Sequence, residues 1–418
     1  MRKLENGRSE LTLAFEPGFE VEGETVCRTF QPSYVVTRDG TLIAFCQGRL
    51  RRGSDDDPKV VLTSRSDDEG ATWSPAKVVS GRVNHYAMSA YVSERHGRER
   101  ISVLTMVDLR VTENIYEKDY AAMRDRTGID MDAVGRDTPM VLCRFDSDDN
   151  GDTWTMETLL GERSPLNRRY ADGALIMFNP IGQVHVIPEG PWKGRYVMGG
   201  PVTVVPEGEP VTNHFRNHRQ SGSTVIYSDD QGETWRADGF ITDYLANEAS
   251  VVSVNHGKEL LIIRRLNADR MFEEQTPIHD LRPSSMQRVA HTSSDCGKTW
   301  SPPFLVDISG VRCHGTLARA GRRLLFSIPN GPESEAQNLS PRQRGAIYFS
   351  GDEGRTWRHR VVEPGTFSYS TVGPLNASRY VALFARSSMG QDGVGCRVFD
   401  DDWLNAERPG EPTAPAAS

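Results

Sequence analysis

Ser66-Asp67-Asp68-Glu69-Gly70-Ala71-Thr72-Trp73 is one of five copies of a single turn. The others are Ser147-Asp148-Asp149-Asn150-Gly151-Asp152-Thr153-Trp154, Ser228-Asp229-Asp230-Gln231-Gly232-Glu233-Thr234-Trp235, Ser293-Ser294-Asp295-Cys296-Gly297-Lys298-Thr299-Trp300 and Ser350-Gly351-Asp352-Glu353-Gly354-Arg355-Thr356-Trp357. Each reads as a β-hairpin turn. Glycine supplies the left-handed backbone position, the aspartate accepts backbone N–H groups across the turn, and the Ser and Thr hydroxyls tie its flanks. The tryptophan then lies on an apolar layer. Apolar or β-branched runs such as Val60-Val61-Leu62, Met140-Val141-Leu142, Thr224-Val225-Ile226-Tyr227 and Ala346-Ile347-Tyr348-Phe349 precede the turns and read as the strands that enter them.

A hairpin repeated along a chain of 418 residues is the pattern of a β-propeller, in which each blade buries its faces against its neighbours. The expected fold is all-β: a six-bladed β-propeller of four-stranded antiparallel blades. The sixth blade closes by joining the N-terminal strand to the C-terminal strands. One propeller over residues 1–405 is expected, followed by a Pro- and Ala-rich, disordered tail over 406–418. A four-stranded blade needs roughly 40–50 residues, and the longer intervals between the first three turns point to insertions, one over Tyr116 to Asp137 and another over Pro206 to Ser221. The polar segment Asn267 to Ser285 also lies between strands. Such insertions collect at the rim and shape a substrate mouth.

Composition narrows the function classes. The net charge of −8 and pI near 5.8 leave no overall basic field for nucleic acid. No run of eighteen apolar residues suggests a membrane span. Met1-Arg2-Lys3-Leu4-Glu5-Asn6-Gly7 has no apolar stretch behind its charges and does not read as a signal peptide, so a cytoplasmic location is expected. Cys27, Cys46, Cys143, Cys296, Cys313 and Cys396 are scattered without metal-binding spacing and read as mostly buried free thiols in a reducing compartment. No calcium-loop spacing is present and no metal or cofactor is expected.

The five turns resemble the Asp-boxes of sialidases (neuraminidases), and further segments match that family at its offsets from the boxes. Gly40 to Arg49 resembles the strand that ends in a pocket-lining arginine, Arg49. Asp55, eleven residues before Ser66, stands where sialidases carry the aspartate that serves as general acid/base. Asn247-Glu248-Ala249-Ser250, followed by Leu260-Leu261-Ile262-Ile263-Arg264, resembles the segment carrying the glutamate and a substrate-binding arginine. Arg342, with Arg344 as the competing choice, corresponds to another carboxylate-binding arginine. Phe367-Ser368-Tyr369-Ser370-Thr371 resembles the segment whose tyrosine is the nucleophile. The resemblance spans about Val26 to Phe384.

It implies a retaining exo-glycosidase acting on a terminal sialic acid or related acidic sugar, with Tyr369 as nucleophile, Glu248 as its base and Asp55 as acid/base. A 2-keto acid sugar carries a carboxylate on its anomeric carbon and would repel a carboxylate nucleophile. A phenol is neutral until a glutamate accepts its proton. Sialidases with a tyrosine nucleophile are a recognised exception to the two-carboxylate scheme, and the guanidinium fork suits the sugar carboxylate.

One departure bears on substrate. The family's first blade carries Arg-Ile-Pro, the arginine being one of three that bind the carboxylate, whereas this chain reads Phe30-Gln31-Pro32. Arg28, two residues away, points to the same face one step further along. The glutamate that steadies the missing arginine is also replaced, by Ala385, and losing both avoids an unpaired buried charge. Two expectations stand side by side: the two remaining arginines still hold a carboxylate, less rigidly, or Phe30 instead stacks on an apolar sugar face. A propeller glycosidase or polysaccharide lyase working on a different anionic sugar, and a non-catalytic glycan-binding propeller, remain competing readings. His85, His214 and His218 are candidate mouth residues for a lyase, but lack that class's paired-histidine arrangement.

Overall fold

A computed structural model describes residues 2–51, 53, 57–80, 85–109, 129–130, 134, 140–166, 175–205, 207, 221–242, 246–266, 287–331, 342–386 and 393–406. They form six antiparallel sheets, the blades of a six-bladed propeller. Blade 1 is built on Glu24–Val36, Leu42–Leu50 and Lys59–Ser66, and blade 2 on His85–Arg95, Arg98–Asp108, Met140–Ser147 and Thr155–Leu159. Blade 3 uses Leu175–Phe178, His185–Val186, Tyr196–Val205, Ser221–Ser228 and Phe240–Ile241. Blade 4 runs through Ala246–Val254, Glu259–Leu266, Gln287–Ser293 and Phe304–Ser309, and blade 5 through Thr316–Ala320, Arg323–Pro329, Gln343–Ser350 and Arg358–Thr366. Blade 6 takes Ser370–Pro374, Arg379–Ala385 and Val394–Asp400 from the C-terminal region and Thr12–Phe15 from the N-terminal region, the closure expected from sequence.

The five turns have nearly the same geometry. In the first, Ser66 Oγ accepts from Gly70 N at 2.7 Å and donates to Asp68 Oδ1 at 2.8 Å; Thr72 N and Thr72 Oγ1 donate to the two oxygens of Asp68 at 2.8 and 2.7 Å. The same set recurs around Asp149, Asp230, Asp295 and Asp352. The hydroxyl and backbone N–H of Thr153 hold Asp149 down at about 2. Two consecutive residues are left-handed in every box, for example Glu69 at φ 60° and Gly70 at φ 79°.

The boxes also join blades. A Cβ on the box glycine would meet the preceding blade in each case: Cys396 beside Gly70, Ile43 beside Gly151, Tyr91 beside Gly232, Val225 beside Gly297 and Leu261 beside Gly354. The apolar core is correspondingly divided into layers between neighbouring blades, such as Ile43, Phe45 and Val61 with Val103, Val141 and Phe145. Blade 6 has no box because its third and fourth strands come from opposite ends of the chain. Val394–Asp400 is followed instead by a short helix, Asp401–Asn405, whose N-cap Asp400 accepts from Trp403 N. Asp230→Ala is expected to lower stability by about 1–2 kcal/mol through loss of these hydrogen bonds, read as a lower urea midpoint with an unchanged m-value.

The innermost strand of blade 3 is interrupted at Asn179–Val184, and this interruption closes the channel. Gly182 O accepts from Ser33 Oγ of blade 1 at 3.3 Å and Ser89 Oγ of blade 2 at 3.1 Å. Gly182 also lies so close to His314 that a Cβ there would approach Nε2 to 3.1 Å. The plug separates two ends of the axis, and its Ile181 packs into the site described next.

Candidate active site

Tyr369 immediately precedes the innermost strand of blade 6, and Glu248 sits near the start of the innermost strand of blade 4. The two side chains meet: Tyr369 Oη donates to Glu248 Oε1. The residue that joins them is Arg265, whose Nη1 donates to Glu248 Oε2 at 2.5 Å and to Tyr369 Oη at 3.2 Å. All three are largely buried, with side-chain exposures of 12% for Glu248 and 14% for Arg265. Burial pushes Glu248 upward, but the Arg265 charge, His314 and the Tyr369 hydrogen bond outweigh it and hold the carboxyl below its usual range. Burial, followed by the Glu248 charge, raises Tyr369 well above an ordinary phenol. The resting pair is therefore a neutral phenol on a carboxylate, the arrangement a carboxylate-activated phenol nucleophile requires.

Arg264 is a correction to the sequence reading. It is fully buried, donates to Ser223 Oγ at 2.9 Å and Ala246 O at 2.7 Å, and lies 2.9 Å from His291 Nε2. Alternate residues of Glu259–Leu266 face opposite sides. Leu260 and Ile262 pack towards blade 3 and Leu261 and Ile263 towards blade 5. Arg264 shares the first face, and Arg265 the second, where Tyr369 lies.

The other arginines surround an apolar patch. Arg342 packs with its guanidinium 5.5 Å from the centroid of the Tyr369 ring and donates to Ser368 Oγ at 3.2 Å and Arg312 O at 3.2 Å. Arg344 is exposed at a left-handed bulge, which separates it from this patch. Phe30 and Tyr369 pack with ring centroids 4.7 Å apart, and Phe30, Ile181, Cys313, Tyr369 and Ala385 form one buried cluster. Phe30 and Ala385 thus occupy a common apolar space. The expectation that Phe30 offers its ring to a sugar is corrected: the ring is 7% exposed, with Arg49 over it at 4.2 Å and Tyr369 against it. Arg49 is itself buried by this stacking and bonds Gln47 Oε1 at 3.5 Å. Arg28 pairs in register with Arg49 and packs beside Gly53.

Asp55 lies outside the described residues, as do His214, His218 and nearly all of the three insertions. His85 is fully buried, with Nδ1 3.3 Å from Thr105 Oγ1, and is no mouth residue. Sequence reading missed Arg265, Cys313 and His314. His314 is buried and stacks on Tyr369 with centroids 6.0 Å apart. Among the described residues no cluster of three or more His, Cys, Asp or Glu is arranged to hold a metal.

A cavity of roughly 1070 Å³ opens at the other end of the axis, lined by Tyr34, Gln183, His185, Arg319 and Pro374 among others. Tyr34, Arg319 and Pro374 stand four or five positions along the chain from Phe30, His314 and Tyr369, about 15 Å away. It is not the Tyr369 site. His185, bonded to Ser253 Oγ at 2.8 Å, is held neutral at about 3 by burial and by Arg319, and burial holds His314 at about 4. The unfolded chain binds these protons first as pH falls. Stability is whole above about 6.5 and declines towards pH 4.5, by about 2–3 kcal/mol for the buried His314 and by less for the half-buried His185. Melting between pH 7 and 4.5 is expected to show this loss, and His185→Gln to remove the smaller part of it.

The chain matches the model of the BNR repeat-like domain over residues 131–379, and it belongs to that family. It is 26% identical over 391 residues to a sialidase of Micromonospora viridifaciens, covering 89% of this chain and 51% of that protein. It is 23% identical over 305 residues to a sialidase of Paraclostridium sordellii, covering 71% of this chain and 65% of that protein. The chain therefore spans between half and two thirds of these curated relatives. Among solved structures it resembles the Hadza microbial sialidase Hz136, with TM-score 0.62, 17% identity, and coverage of 89% of this chain and 66% of that one. Trypanosoma rangeli sialidase in complex with the inhibitor DANA gives TM-score 0.61, 17% identity, and coverage of 95% and 60%. A Dyadobacter fermentans protein of unknown function gives TM-score 0.60, 15% identity, and coverage of 94% and 99%. At such identities the structural likeness is one of fold.

Proposed function

We propose that this chain is a sialidase-like retaining exo-glycosidase that removes a terminal acidic sugar. The observation that carries the reading is the buried contact of Tyr369 Oη with Glu248, with Arg265 donating to both. Tyr369 attacks the anomeric carbon and its proton passes to Glu248. The glycosidic C–O bond breaks, and the leaving oxygen takes a proton from Asp55. Water then attacks the glycosyl–tyrosine bond, giving a proton to Asp55, while the departing phenolate recovers its own from Glu248. Arg265 and Arg342 border the tyrosine and offset phenolate charge as it develops. The curated relatives named as sialidases support the reaction class.

The apolar Phe30–Ala385 patch favours a second reading within the same chemistry: a different anionic sugar, held without the family's first arginine. The test is a panel of fluorogenic glycosides, with a sialoside beside uronides and other acidic sugars. Sialoside release establishes a sialidase working without that arginine. Release confined to another acidic sugar identifies changed specificity. An unsaturated, ultraviolet-absorbing product, or no turnover at all, sinks the hydrolase reading in favour of a lyase or a glycan-binding propeller.

A further inference from the structure

Arg288 lies directly opposite Arg265 on the neighbouring strand of blade 4, so the two side chains share a face. Like charges placed opposite one another destabilise a sheet unless something neutralises them. Arg265 has Glu248. Arg288 is 1% exposed, and its hydrogen bonds to the protein run from Nη2 alone, to Val311 O at 2.8 Å and Cys313 O at 3.2 Å. Arg288 Nε and Nη1 are buried without a partner, and so is Arg265 Nε. Two buried guanidinium groups thus present three unpartnered nitrogens beside the Cys313–Tyr369 cluster. No carboxylate ion-pairs with Arg288 among the described residues. Leaving such donors dry is costly. Burial and the adjacent Arg265 charge also pull Arg288 down to about 10, which leaves it cationic at neutral pH.

We propose that Arg288 and Arg265 form a buried site for a small monovalent anion beside the buried Tyr369 cluster. Planar guanidinium edges suit an oxyanion or a halide. The occupant is an inorganic halide or small inorganic oxyanion held by the unpartnered guanidinium edges. The site adds a third arginine to the neighbourhood from a strand that the family resemblance does not use, in a protein that carries Phe30 where an arginine is expected.

The experiment is equilibrium binding of bromide to the full chain, followed by bromide NMR line width at constant ionic strength. No turnover is needed, so its failure is separable from failure of the proposed activity. Saturable broadening is expected for the native protein, with at least about tenfold weaker binding in Arg288→Met. Arg288→Lys, which keeps the charge but not the fork, is expected to bind several-fold more weakly and serves if the methionine variant does not fold. Displacement of bromide by free sialic or glucuronic acid makes the site part of the sugar-carboxylate subsite and overturns the proposal of a separate one. Saturable broadening without displacement supports the inorganic anion. Absence of saturable broadening in the native protein, or equal broadening in a folded Arg288 variant, overturns the proposal.

Discussion

Tyr369→Phe is expected to lower kcat by at least about 10³-fold, the scale on which removal of a catalytic nucleophile acts, while leaving the fold nearly unchanged. The ring remains to pack on Phe30 and His314, and Glu248 keeps Arg265. The stability change is therefore near the single lost hydrogen bond, about 1 kcal/mol. KM should move little, because in the proposed mechanism the substituted group acts at the anomeric centre rather than on the rest of the sugar. The measurement is turnover of the cleaved glycoside by native and variant protein, with circular dichroism and urea unfolding as controls. A fall in kcat with both controls preserved supports the nucleophile. Turnover within tenfold of native would remove Tyr369 from the mechanism. Because Glu248 is held below the usual carboxylate range, its protonation is not expected to produce an acidic limb near the ordinary glutamate value.

Arg265→Met is expected to destabilise the protein by about 3–5 kcal/mol, since it strands the buried Glu248 carboxylate without its cation. Glu248 then titrates higher, and the acidic limb of the rate profile moves up in pH. The paired variant Glu248→Gln with Arg265→Met should recover part of the stability, giving a coupling energy that a merely local packing defect does not produce. Arg264→Met provides the contrast. It also destabilises, because Arg264 is buried among Ser223, Ala246 and His291, but its kcat should stay within a few-fold of native. If Arg264→Met loses turnover and Arg265→Met does not, the geometry around Glu248 is wrong. If neither changes the pH profile, Arg265 is a structural residue only.

Much of this protein was legible without coordinates, because a box turn is local chemistry. Ser, Asp, Gly and Thr within one octapeptide satisfy each other, so the residues alone specify the turn and its repetition specifies blades. The pairing of Phe30 with Ala385 was also readable, since an arginine and its acid vanish together from two strands. The apolar contact of these positions in blades 1 and 6 agrees with that reading. The arginine of blade 4 was not readable. Leu260-Leu261-Ile262-Ile263 is apolar on both faces, because a propeller strand is sandwiched between two blades, so the pattern carries no sign of which side holds the site.

From the residues alone follow a repeated hairpin, its closure into a propeller, and a tyrosine and a glutamate at matching offsets. Tertiary structure decided what surrounds them. A one-residue step along Glu259–Leu266 sends Arg264 towards blade 3 and Arg265 to Tyr369. The Gly182 segment of blade 3 is held across the axis by Ser33 of blade 1 and Ser89 of blade 2. Phe30 is covered by Arg49, and His314 and Arg288 reach the tyrosine's neighbourhood from positions outside any recognised motif. These contacts join residues from separate blades, and their spacing in sequence carries no information about them; the closing of the ring brings them together.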